Sequence, residues 1–143
     1  VGRLRPDMII HLGDCWADAE QLHRKFPMTV MEQVPGNCDC RQEVQERILL
    51  IEGKKILICH GHTFNVKAGY LNLEYAAEER KVDAALFGHT HRVFYDKHNR
   101  IAYMNPGSIG QPPYGIPPSY GVLQVDGSSN TIATDVIYLE ENN

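Results

Sequence analysis

Four times along these 143 residues a short apolar run stops at, or one tight turn before, a side chain able to hold a metal ion. Met8-Ile9-Ile10 leads through His11-Leu12-Gly13 to Asp14, and Val30-Met31 leads through Val34-Pro35-Gly36 to Asn37. Ile56-Leu57-Ile58-Cys59 runs directly into His60, and Val82-Asp83-Ala84-Ala85-Leu86-Phe87 ends in Gly88-His89-Thr90-His91. Apolar runs of this length punctuated by glycine read as buried strands. Open α/β sheets keep their sites at the carboxyl ends of such strands. The pattern therefore constrains fold and site together: one carboxylate, one amide oxygen and three imidazoles must meet at one sheet edge.

The intervening segments alternate in the way an α/β chain requires. Residues 18–26 carry Ala19, Leu22 and Phe26 at helical spacing, with Asp18 placed to cap the start and Pro27 to end the run. A strand over 29–34 follows. Residues 47–51 and 55–59 flank Glu52-Gly53-Lys54 as a hairpin. Residues 68–80 set Leu71, Leu73, Ala76 and Ala77 against Glu74, Glu78, Glu79 and Arg80, an amphipathic helix leading to the strand at 82–87. Later, 92–95 and 101–104 form a hairpin around a loop at 96–100, and two β-rich runs, 121–125 and 131–139, close the chain. Helices early and hairpins late predict an α/β sandwich with a mixed sheet or two stacked sheets.

At this length one domain, 1–143, is expected. Fourteen basic against eighteen acidic residues leave a net charge of −4, so no nucleic-acid footprint is evident. No apolar run reaches the roughly 18–20 residues of a membrane span, and the default expectation is a cytoplasmic protein acting away from membranes. The four cysteines, Cys15, Cys38, Cys40 and Cys59, read as free thiols; only Cys38 and Cys40 are close in sequence, and no zinc-finger spacing is met.

The donor set defines a chemistry. A carboxylate can bridge two cations and a neutral imidazole cannot, which makes Asp14 the bridging candidate. With the Asn37 carbonyl oxygen and the nitrogens of His60, His89 and His91, the mixture suits manganese, iron or zinc and is too rich in nitrogen for calcium. Two such ions about 3.5–4 Å apart clamp an in-line displacement at phosphorus and generate hydroxide near neutral pH.

Gly13-Asp14, Gly36-Asn37-Cys38-Asp39, His60-Gly61-His62 and Gly88-His89-Thr90-His91, in that order, resemble the successive motifs of the calcineurin-like metallophosphoesterases, nearest to the small YfcE-type branch; Asn105-Pro106-Gly107-Ser108 resembles a late motif of that branch. The resemblance implies a four-layer α/β/β/α sandwich of two mixed sheets and a phosphodiesterase acting on a small phosphodiester, with a possible homo-oligomeric assembly. It implies two divalent metal ions, manganese first, with iron, nickel or zinc as alternatives. Asp14 would bridge them, Asn37, His60 and His89 would complete one site, and His91 would serve the other. Asn37 with Asp39 would position the phosphate and order the loop, and His62 would face substrate. Cys38 stands where relatives carry a histidine able to protonate the leaving group.

The family also opens with an Asp-x-His motif on its first strand, which these residues do not contain; its place in the order falls before Val1. The expectation is therefore an N-terminally truncated chain, short of one strand and two ligands. An interaction scaffold of the retromer-subunit kind, which resembles the same fold, is the competing function. A metallo-β-lactamase-like reading fails, because that family resembles His-x-His-x-Asp-His and here Arg92-Val93 follows His91.

Overall fold

The computed structural model describes residues 1–40 and 44–140. In chain order the elements are β1 (Met8–His11), α1 (Trp16–Lys25), β2 (Val30–Gln33), β3 (Glu46–Ile51), β4 (Lys54–Cys59), a 3-10 turn (His62–Phe64), α2 (Leu71–Glu79), β5 (Ala84–Leu86), β6 (Val93–His98), β7 (Ile101–Pro106), β8 (Ser119–Asp126) and β9 (Thr131–Tyr138). A five-stranded mixed sheet in the order β3-β4-β5-β7-β6 forms the centre. Its middle strands β4, β5 and β7 run parallel to one another, and antiparallel β3 and β6 form its edges.

The continuous apolar character of β4 has a direct cause. Ile56, Leu57, Ile58 and Cys59 are all fully buried, because both faces of the sheet are covered. Leu57 and Cys59 pack with Leu73 and Ala77 of α2, with Ala85, and with Phe87 beyond β5. Ile56 and Ile58 point the other way, to Val34, Leu86 and Met104, where Met8, Ile10 and Leu12 from β1 and its loop and Leu123, Ile132 and Val136 from β8 and β9 close over them. The second β layer is thus built from two pieces, the parallel pair β1-β2 and the hairpin β8-β9. Alpha-helix α1 runs beside β2, where Glu20, His23 and Arg24 share a groove with Met31 and Gln33. The α/β/β/α layering is the architecture that the family resemblance implies, but only the central sheet is mixed; the second layer is a parallel pair beside an antiparallel hairpin.

Several boundaries differ from expectation for identifiable reasons. Helix α1 begins at Trp16, and its cap position is Cys15 in the left-handed region, so Asp18 lies inside the first turn. The missing local cap is supplied from 23 residues away: Trp16 N–H donates to Asp39 Oδ1 at 2.9 Å. Helix α2 starts at Leu71 and not at 68, since Gly69 has φ +148°. The strand expected over 82–87 is regular only through Ala84–Leu86. The loop expected over 96–100 contracts to Asn99 and Arg100, both at positive φ, which is the two-residue turn that matches strand twist.

Candidate metal centre

Every predicted ligand lies in a loop that leaves the carboxyl end of a strand. Asp14 follows β1, Asn37 follows β2, His60 follows β4, and His89 and His91 follow β5. Parallel pairing puts the ends of β1 and β2 side by side, and likewise those of β4 and β5. The two pairs lie in different layers, and the close approach between them depends on glycine. A Cβ at Gly13, whose φ is +107°, would stand 2.6 Å from His60 Nδ1 and 2.8 Å from Gly36 N; one at Gly36 would overlap Asp14 Oδ1.

His60 is the hub. Its ring is almost completely buried, and Nδ1 lies 2.8 Å from the Leu12 carbonyl oxygen, which can only accept, so Nδ1 carries the proton and Nε2 presents its lone pair. Around Nε2 stand Asn37 Oδ1 at 3.1 Å, His89 Nδ1 at 3.1 Å and Asp14 Oδ2 at 3.5 Å. Burial holds His60 below the ordinary histidine range, against the opposing hydrogen bond to Leu12 and the charge of Asp14. His89 is pushed down to about 4, first by burial and then by the neighbouring His60 and Lys67. Both rings are neutral near pH 7.

This donor set fits a cation. With the imidazoles neutral, only His89 has a proton to offer the lone pair on His60, while the oxygens of Asn37 and Asp14 face it with lone pairs of their own. A divalent ion relieves that repulsion, and metal–ligand bonds of about 2.0–2.2 Å imply ligand–ligand separations of about 2.8–3.6 Å across octahedral and tetrahedral geometries. The cluster is centred on one atom and depends on the Asn37 amide: among the described residues no group of three or more His, Cys, Asp or Glu side chains is arranged to hold a metal ion without it.

The remaining predicted residues take distinct places. His91 is half-buried at φ +58°, two residues beyond His89, and takes no part in the four-residue convergence on His60. His62 stacks its ring 5.3 Å from that of His60 and 6.1 Å from that of His89, and its buried Nδ1 has no hydrogen-bond partner. Asp39 turns its carboxylate into backbone: Gly36 N–H donates to Oδ2 at 2.8 Å while Trp16 N–H holds Oδ1. Burial raises the Asp39 pKa, but the backbone donors of Gly36, Trp16 and Asp14 together outweigh it and hold the group below the usual carboxylate value. Cys38 is exposed, its backbone N–H donating to Asp14 Oδ1 at 3.1 Å, and the Asp14 charge leads the causes that raise its thiol pKa. Cys59 is a buried thiol pushed up to about 12 by desolvation, and belongs to the core.

Two groups next to the ligands carry no strong mark in the sequence. The Leu12 carbonyl fixes the tautomer of His60, and any residue could supply it. Asn105 is completely buried behind the His89 loop; its place in Asn105-Pro106-Gly107-Ser108 marked the motif but not its contacts.

Comparison with known proteins places the fold and the family. The probable metallophosphoesterase YsnB of Bacillus subtilis is 35% identical over 128 residues, covering 88% of this chain and 73% of YsnB. Phosphodiesterase YfcE of Escherichia coli K12 is 30% identical over 114 residues, covering 80% of this chain but 50% of YfcE, so the match spans half of that relative's length. A Streptococcus pneumoniae protein described as a predicted phosphoesterase shares the fold at TM-score 0.76 and 22% identity, over 92% of this chain and 88% of its own. Zinc-complexed Vps29 of Entamoeba histolytica does so at TM-score 0.70 and 20% identity, over 96% and 86%. Residues 2–128 match the Calcineurin-like phosphoesterase superfamily domain, and the chain belongs to that family.

Proposed function

We propose that the chain is the catalytic domain of a divalent-metal phosphodiesterase. The observation that carries this reading is the meeting of Asp14, Asn37 and His89 around the unprotonated Nε2 of His60, each delivered by a different strand end. Asp14, Asn37, His60 and His89 would hold one cation, and His91 would serve a second. A bound divalent ion supplies Lewis acidity at phosphorus and acidifies water.

The chain's own residues do the rest. Asn37 is exposed at the rim, with its oxygen toward His60 and its amide hydrogens available to a phosphoryl oxygen. Asp39 orders the loop that carries Asn37 and Cys38 by accepting from Gly36 and Trp16. His62 stands beside the cluster, its ring 5.3 Å from that of His60, and would contact substrate. The Cys38 thiol stays protonated at neutral pH but is a weak acid, so it gives little help to a poor leaving group. The domain would therefore favour phosphodiesters whose leaving group departs without a proton.

Manganese is the first metal to try, with iron, nickel and zinc after it. Purified protein loaded with Mn²⁺ should cleave an activated aryl phosphodiester, and Asp14→Asn should abolish the turnover; unchanged turnover in the metal-stripped protein would overturn the reading. The scaffold alternative is kept because Vps29 chains share the fold. A domain that binds no Mn²⁺ or Zn²⁺ at micromolar concentration while forming a stable complex with a protein partner would favour it.

A further inference from the structure

We propose that Asn105 is a positioning residue whose buried side-chain amide holds the Gly88–His91 loop so that His89 points into the metal site and the turn carrying His91 is fixed beside it. The inference rests on the metal reading above.

The ladder between β5 and β7 ends just before the ligands. Leu86 pairs with Met104, and Phe87 N–H donates to the Met104 carbonyl oxygen at 3.1 Å. Beyond that point the backbone of the loop has left the sheet, with His89 at φ +70° and His91 at φ +58°. Both are left-handed conformations, uncommon for a residue with a Cβ. Gly88 N–H is still held by the His60 carbonyl oxygen at 2.9 Å. The opposite side of the loop is held by a side chain: Asn105 Nδ2 donates to the Gly88 carbonyl oxygen at 3.0 Å and to Thr90 Oγ1 at 2.9 Å. Thr90 Oγ1 in turn accepts from Arg92 N–H at 3.1 Å, and Asn105 Oδ1 accepts from Gly107 N–H at 3.0 Å.

Each amide hydrogen of Asn105 is thus spent on a residue flanking His89, and its oxygen is anchored to the chain after β7. The side chain is completely buried, so water cannot take over these bonds when it is removed. Asp, though close in shape, turns both donors into acceptors facing the Gly88 carbonyl. Among the residues around the site, Asn105 bonds to both neighbours of His89, and through Thr90 it reaches the turn that carries His91. Removing a partner that orients a ligand typically costs about 10–100-fold in metal affinity.

The test compares wild type, Asn105→Ala and Thr90→Val with two readouts. The first is Mn²⁺ affinity by calorimetry. The second is the ring ¹⁵N resonances of the metal-free protein, with His23 and His98, both exposed and outside the cluster, as internal controls. The proposal expects displaced His89 and His91 resonances, unchanged controls, and a fall of about 10–100-fold in affinity for Asn105→Ala, with a smaller change in the same direction for Thr90→Val. Unmoved His89 and His91 rings in folded variants overturn it. Where Asn105→Ala fails to fold, Thr90→Val decides, because it removes an acceptor in the loop and leaves the sheet interior untouched. A wild-type protein that binds no Mn²⁺ defeats the metal reading alone, and the metal-free spectra still judge Asn105.

Discussion

His60 Nε2 and His89 Nδ1 stand 3.1 Å apart with their rings nearly edge to face, although 29 residues separate them in the chain. The pair exists because β4 and β5 are parallel neighbours that end at the same level, Ile58 opposite Leu86. Removing one ring leaves the other aimed at an empty position. His89→Ala should therefore lower Mn²⁺ affinity by more than about 100-fold, beyond the usual cost of losing an outer partner, and reduce phosphodiester turnover in step. Calorimetry and a steady-state assay on the same preparation check both.

Three depressed imidazoles, His11, His60 and His89, set a pH dependence with a definite sign. Burial lowers the pKa of all three, that of His89 to about 4, from 6.5 in the unfolded chain. Between those values the unfolded chain binds more protons than the folded one, so folding loses free energy as pH falls. The melting temperature of the metal-free protein should be flat just above pH 7 and decline progressively from about pH 6.5 to 4. Asp39, held below 3.8, extends the loss at lower pH as it too becomes protonated. A melting temperature that rises on acidification through this window would contradict the assignment of neutral rings.

Cys38 predicts a substrate preference. Its thiol is raised by Asp14 and remains a poor acid at neutral pH. Cys38→His should speed hydrolysis of alkyl phosphodiesters, whose leaving groups need a proton, by about 10-fold or more, up to the 10²–10⁴-fold that well-placed general acids contribute, while an activated aryl ester changes little. The ratio of the two rates across wild type and variant is the measurement. An unchanged ratio removes Cys38 from the leaving-group side of the site.

Asp39 predicts a stability effect distinct from catalysis. Its carboxylate serves as the cap of α1 and as the clamp of the Gly36 turn. Asp39→Ala strands both N–H donors and should destabilise the fold by about 1–3 kcal/mol, the range for a lost cap together with a half-buried unsatisfied donor. Urea unfolding reads the midpoint, and far-ultraviolet circular dichroism reads the helix. A midpoint within error of wild type would show that the two bonds carry no stability.

The local periodicities carried much of the fold. The buried strand β4, the hairpin turn at Glu52 and Gly53, and the amphipathic α2 all follow from residues within one or two turns of each other. The order of the four ligand loops was equally legible, because each is announced by its own apolar run. What was not legible depends on distant partners. The α1 cap comes from Asp39, so Asp18 offered a false start signal. The Asn105 amide completes a loop 17 residues earlier, and nothing in its neighbours states that it will be buried. The sequence also gives no reason for the second β layer to come in two pieces, since edge-to-edge pairing is settled by what lies alongside in space.

That division has a mechanical corollary. Asp14 and Asn37 are mounted on β1-β2, a pair whose ladder joins only its own two strands among those described, whereas His60 and His89 grow from the five-stranded sheet. A cation gripped by all four would act as a rivet across two separately laddered bodies. Occupancy should then be felt as slowed amide exchange along Met8–His11 and Val30–Gln33, rising with free cation as ligand linkage requires, while the doubly flanked Lys54–Cys59 strand scarcely responds.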